Sequence, residues 1–184
     1  VFHVGKSGVS VEMDNGIPIF PAGVLKIYQN PNPPIIPDID DFDYSKQGGG
    51  NPDSTQFSSE NPNIVDNKGL DDLKAWFEEC IKDYFDNVMT LAYEEFWIHE
   101  SWINKSRPNS SQSMHNHSNS LISGVYYIES KPNHPPLIFE KVAYNADPFI
   151  SLRKHYHKAN PNFTNRLAMP CTQGSLIMFN SYLF

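Results

Sequence analysis

The longest regular pattern of apolar positions runs over residues 70–89. There Leu70, Leu73, Phe77, Cys80 or Ile81, Tyr84 and Val88 recur every three or four positions, with Asp, Lys and Glu between them. That period lines apolar side chains along one side of an α-helix. Gly69 and the Asp71-Asp72 pair mark its start, where acidic groups favour the positive end of the helix dipole. The aromatic stripe predicts a helix packed on a sheet rather than a cofactor-binding face, with Cys80 as a small buried hydrophobe. Elsewhere the apolar runs are short. Val9, Val11 and Met13 alternate with Ser10 and Glu12 ahead of an Asn15-Gly16 turn, and apolar sequence broken by Pro and Gly follows from Ile17 to Tyr28. Strand character returns at 90–104 (Phe96, Ile98, Trp102, Ile103), at 121–128, at 136–142 (Leu137, Ile138, Phe139) and at 175–179. Short strands at hairpin-like spacing with one strong helix predict a mainly β fold with some α: an antiparallel sandwich or barrel with the helix outside it.

Polar stretches separate these elements. Residues 30–69 carry Asn30-Pro31-Asn32-Pro33-Pro34, an acidic patch (Asp38, Asp40, Asp41, Asp43) and Gly48-Gly49-Gly50, and predict a long surface loop. A lid over a site is the functional alternative, since long loops often serve that way. Lys105 to Ser113 reads as a polar loop, and 143–165 as a second long polar segment. A length of 184 residues fits one domain over 1–184 that can bury a core without disulfide or metal staples.

Charge and cysteine content narrow the partners. A net charge of −7 and a pI near 5.4 weigh against nucleic acid. Cys80 and Cys171 show no disulfide framework, which fits a reducing compartment. With no leader pattern and no apolar run long enough for a bilayer, the expectation is a cytoplasmic protein with no membrane partner. Val4-Gly5-Lys6-Ser7 lacks the earlier glycine of a phosphate loop.

The candidate chemistry lies at His115-Asn116-His117, in the polar loop before the strand at 121–128. Side chains two apart in an extended chain share a face, so both imidazoles can converge on one ion. Imidazole suits iron, zinc, copper and nickel, but two ligands need a third. A second pair, His155-Tyr156-His157, has Arg153 and Lys154 beside it; neighbouring cations repel a metal, so it reads as a surface or anion-binding pair. The absence of Cys-x-x-Cys excludes a cysteine zinc cage, and there is no Gly-x-Ser-x-Gly nucleophile elbow.

Four stretches together carry a resemblance. Trp102-x-Asn104, His115-x-His117-x-Asn119-Ser120, Ser123-Gly124-Val125-Tyr126-Tyr127 and Pro170-x-x-x-Gly174-Ser175-Leu176-Ile177-Met178-Phe179-Asn180-Ser181 resemble 2-oxoglutarate/Fe(II)-dependent oxygenases of marine bacteria and their phages. These are distant relatives of prolyl hydroxylases, and the resemblance covers roughly residues 70–184. It implies a double-stranded β-helix (a jelly-roll or cupin-like barrel) with the 70–89 helix supporting it. It also implies Fe(II) and 2-oxoglutarate as cofactors, and a dioxygenase that hydroxylates a substrate the sequence does not identify. His115 matches the first iron ligand of the family. His117 stands where the family has a carboxylate, a departure that leaves the ion more positive. Asn119, Glu140 and Asp147 are the other side chains considered for that place. Tyr126 and Tyr127 fall on opposite faces of one strand, so one of them reaches the barrel interior; Tyr127 and Asn104 are the candidate cofactor-binding residues. Packing and loop-tying are the ordinary roles of such residues. The family's distal His and the Arg that pairs with the cosubstrate are expected beyond Phe184, Arg166 not matching the latter position. The chain is accordingly expected to be cut within the barrel, with an incomplete site as it stands. Two other readings stay open: a cupin-like metalloprotein without 2-oxoglutarate, and a non-catalytic barrel serving as a binding or virion-associated module.

Overall fold

A computed structural model describes residues 2–4, 17–19, 23–33, 39–40, 42–46, 56–108, 110, 112, 114–131, 133–140 and 166–183. In chain order the strands are β1 (Phe2–Val4), β2 (Ile17–Ile19), β3 (Gly23–Gln29), β4 (Tyr44–Lys46), β5 (Gln56–Ser59), β6 (Phe96–Ile98), β7 (Asn104–Ser106), β8 (Ile122–Tyr126), β9 (Leu137–Glu140), β10 (Arg166–Met169) and β11 (Ser175–Asn180). Between β5 and β6 lie a 3-10 turn (Ile64–Asp66) and the helix α1 (Asp71–Asp83), which runs on as a π-helical turn over Tyr84–Met89. Among the described residues the fold is mostly β with one α-helix, and all strand pairs within the sheets are antiparallel.

The main sheet has six strands in the order β2-β3-β11-β8-β1-β6. Side chains alternate across it. Leu176 and Met178 of β11 and Ile122 of β8 meet Cys80, Ile81, Tyr84, Phe85 and Val88 on one face. Ile177 and Phe179 of β11 and Leu25 of β3 face the other way, against Phe139 of β9 and Met169 of β10. The helix therefore covers one face of the sheet and the β9–β10 ribbon covers the other. A third sheet, β4-β5-β7, is served by a smaller cluster of Ile64, Leu70 and Ile103.

The helix expected at 70–89 is present, with Leu70, Leu73, Cys80, Ile81, Tyr84 and Val88 buried. Burial pushes the Cys80 thiol up to about 12, with Asp83 and Glu79 adding to it, in keeping with a packed side chain rather than a nucleophile. The π-helical turn adds one buried aromatic that the pattern did not predict. A wider turn shifts the facing of the side chains that follow, and here two consecutive residues, Tyr84 and Phe85, are fully enclosed. Phe85 packs on Tyr93 and Phe96, and Thr90 ends the turn in the left-handed region at φ 46°. No helix among the described residues is long and apolar enough to cross a membrane.

Three expectations change. The strand predicted over 90–104 is two short strands in different sheets, β6 beside β1 and β7 beside β5. Ser101 separates them because its backbone is drawn to the 3-10 turn: it donates to Pro62 O, its carbonyl accepts from Ile64, and its hydroxyl accepts from the Val65 N–H. The polar loop expected from Lys105 likewise begins inside β7. The stretch at 30–69, read as a loop from its composition, contains β4, β5 and the 3-10 turn. Ladder hydrogen bonds between β4 and β5, and from β5 to β7, order it where apolar content is low. The strand read at Val9–Met13 and the polar segment at 143–165 lie outside the described residues.

Helix and sheet are tied by a polar clamp. Asp83 at the end of α1 accepts from Lys26 Nζ (2.6 Å) and Tyr28 Oη (2.6 Å) on β3, and from Asn87 Nδ2 (2.9 Å). Burial alone would raise the carboxyl pKa, but these three hydrogen bonds outweigh it and hold Asp83 below the usual carboxylate range. Burial and the same carboxylate push the Tyr28 hydroxyl upward. Asp83→Ala should cost about 2–3 kcal/mol at pH 7, read from urea unfolding, as expected for hydrogen bonds to a charged group. A carboxylate with a lowered folded pKa stabilises above its unfolded value and loses that effect as pH falls through the folded one. The gap between wild type and Asp83→Ala should therefore narrow below about pH 4.

Candidate metal centre

The loop bearing His115 and His117 is laced to the end of β11. The His117 N–H donates to Ser181 O (3.0 Å), and the Ser181 N–H donates to Leu121 O (3.1 Å). These bonds extend the β8–β11 ladder past Asn180 paired with Ile122. The chain reverses at Ser118-Asn119, where Asn119 has φ 60°, a conformation asparagine accepts more readily than most residues. Asn119 thus has a backbone reason to be there, and its side chain is exposed.

Local packing turns His117 inward. Its Nδ1 lies 2.7 Å from Ser123 Oγ, which lies 2.7 Å from Ser181 Oγ. Ser181 Oγ is in turn 3.0 Å from Ser120 Oγ, and the Ser120 hydroxyl donates to Ile122 O (2.8 Å). Trp102 stands edge-on to the His117 ring at 5.6 Å between centroids. The other ring nitrogen, Nε2, is buried and has no hydrogen-bond partner among the described residues. A buried polar atom without a partner is unusual and asks for a reason. Burial, with the His115 ring beside it, lowers the His117 pKa to about 4, so the ring is neutral at pH 7.

His115 is exposed, with its Nε2 3.5 Å from Gln112 Nε2. Its ring centroid is 5.1 Å from that of His117, at 57° between planes. That separation is short enough for both imidazoles to reach one ion at about 2.1 Å. The predicted pair is thus brought together, one member half-buried with its Nε2 enclosed and one open to solvent. Two imidazoles, one with a buried and unpartnered ring nitrogen, fit part of a transition-metal site. Among the described residues no group of three His, Cys, Asp or Glu forms a complete one.

The other predicted residues stand elsewhere. Tyr127 follows β8 on the same face as Ser123, four positions further, or roughly 13 Å along an extended chain. It packs against the Leu25–Phe139–Ile177 cluster, while Tyr126 packs on Trp76 and Phe77 on the helix face. Burial and the neighbouring Cys171 thiol raise the Tyr127 hydroxyl pKa. Asn104 is exposed on β7 and accepts from Ser58 Oγ (2.7 Å), tying β7 to β5; it is Trp102, two positions earlier, that reaches His117. Glu140 sits on β9 opposite Arg166 in the ladder. Asp147, Arg153, His155 and His157 lie outside the described residues. The sequence reading missed Ser123 and Ser181, each only 1% exposed. Their signal was a hydroxyl residue at a position where strand alternation calls for an inward side chain.

Residues 100–184 match a family model described as "Putative 2OG-Fe(II) oxygenase". The matched segment runs from just before β7 to Phe184, somewhat under half the chain, and includes both histidines and all three serines. It stops short of α1, so it is narrower than the resemblance read from 70–184. No curated protein and no solved structure matches the chain.

A histidine whose folded pKa lies below its unfolded value lets the unfolded chain take the proton first. Stability of the metal-free protein should therefore fall as pH drops from about 6.5 toward 4, and less so in His117→Gln; urea midpoints against pH would show it. NMR titration should place the His117 ring near pH 4, moving upward in His115→Ala.

Proposed function

We propose that this chain carries the iron-binding part of a 2-oxoglutarate- and Fe(II)-dependent dioxygenase built on a double-stranded β-helix. The family match over 100–184 supports the general kind. The observation that carries the site is the buried, unpartnered Nε2 of His117 beside the His115 ring. Both faces of β11 are buried, with the helix on one side and the β9–β10 ribbon on the other, as a barrel wall with an outer supporting helix requires.

In this reading His115 and His117 would hold the ion through imidazole nitrogens, His117 through Nε2. Fe(II) with 2-oxoglutarate and dioxygen would supply the chemistry that hydroxylates a C–H bond, with the cosubstrate converted to succinate and carbon dioxide. The protein's part is position and dryness. Trp102 covers the edge of His117, and the serines behind the ring keep its backbone and side chain in one place. Tyr127, on the same strand face further along β8, is the first candidate for contact with the cosubstrate; Asn104 is the weaker candidate because Ser58 already occupies its amide oxygen. An imidazole in the carboxylate's place adds no negative charge to the site.

Anaerobic Fe(II) titration with 2-oxoglutarate tests this. A weak visible charge-transfer band should appear only with both present and vanish in His115→Ala and His117→Ala. Iron binding without that band would favour a cupin-like metalloprotein, and no binding would favour a non-catalytic barrel.

A further inference from the structure

We propose that Ser120, Ser181 and Ser123 form a one-way hydroxyl relay that holds His117 as its Nδ1–H tautomer and leaves the buried Nε2 as a lone pair facing the metal position. The direction follows from proton counting, since each serine hydroxyl has one proton to give. A backbone carbonyl only accepts, so Ser120 donates to Ile122 O. That uses the Ser120 proton, and the 3.0 Å contact is therefore Ser181 donating to Ser120. With the Ser181 proton placed, the 2.7 Å contact to Ser123 is Ser123 donating to Ser181. Ser123 has then only lone pairs left for His117, and at 2.7 Å the proton between them belongs to Nδ1. A neutral ring protonated on Nδ1 carries its lone pair on Nε2, the nitrogen that has no partner among the described residues.

The relay joins parts of the fold that only the finished sheet brings together. Ser120 comes from the histidine loop, Ser123 from β8 and Ser181 from the end of β11, and Ser123 and Ser181 are both fully buried. These are positioning residues: none is placed on the ion, and each acts through the ring. Groups that orient a metal-binding histidine in this way commonly change metal affinity by about 10- to 100-fold. The purpose given to the relay rests on the metal reading; its geometry does not.

Long-range proton–nitrogen NMR of the metal-free protein at pH 7 reads the tautomer directly. Wild type should show His117 protonated on Nδ1. Ser123→Thr should keep that state. Ser181→Ala frees the Ser123 proton to turn toward the ring and should shift His117 toward the Nε2–H form, as should Ser123→Ala, with backbone amide spectra confirming the fold. Co(II) titrations of the same proteins should show affinity weakened about 10- to 100-fold in Ser123→Ala and Ser181→Ala but not in Ser123→Thr. An Nε2–H ring in wild type overturns the relay without any variant, and so does an unchanged tautomer in folded Ser123→Ala and Ser181→Ala. An Nδ1–H ring in a protein that binds no Co(II) upholds the relay and removes the metal reading instead.

Discussion

The pairing of β11 between β3 and β8 is the constraint on which the rest of the structure depends. Leu176 through Phe179 are all buried, so this one strand has no solvent face. Its even positions close the core under α1, and its odd positions close the core under the β9–β10 ribbon. A one-residue slip in its register would exchange those two sets. It would also carry Ser181 away from Leu121, His117 and Ser123 at once. Core and candidate metal centre thus answer to the same register.

Some of this was legible in the sequence and some was not, for physical reasons. The helix at 70–89 announced itself because one face is apolar over five turns, and β8 and β11 because apolar strand residues cluster there. The stretch at 30–69 did not. Gln56–Ser59 is a polar strand held by ladder bonds to β7, more than forty positions further along the chain, and Tyr44–Lys46 in turn pairs with it. The division between β6 and β7 was hidden for a similar reason: it is made at Ser101 by the backbone of residues 62–65.

At the site, spacing alone brought out His115 and His117, and their rings do stand together. Spacing could not tell that one would be half-buried and neutral while the other stays exposed. Nor could it show that the His117 ring meets the Ser123 hydroxyl, which is backed by Ser181 from the far end of β11. Ser123 sits in a strand whose sequence otherwise reads as packing, and only the fold reveals that its neighbour is a ring nitrogen. Asn119 attracted notice as a possible ligand, yet its conformation at φ 60° explains its place in the turn.

The placement of β11 also bears on how the protein comes into being. Its partner β3 lies near the other end of the described chain; Gln29 on β3 bonds to Gln173 just ahead of β11 across 144 positions. Contacts that close so much chain form slowly, because the entropy of the loop is lost before the contact returns anything. On a ribosome, β3, α1 and β8 emerge well before the strand that belongs between β3 and β8. Until it docks, the helix lacks Leu176 and Met178, and His117 has no Ser181 to hold its loop in place. The surroundings of His117 are thus completed by the last-made of the described strands, so the nascent chain meets solvent and its ions before the candidate centre has its final shape.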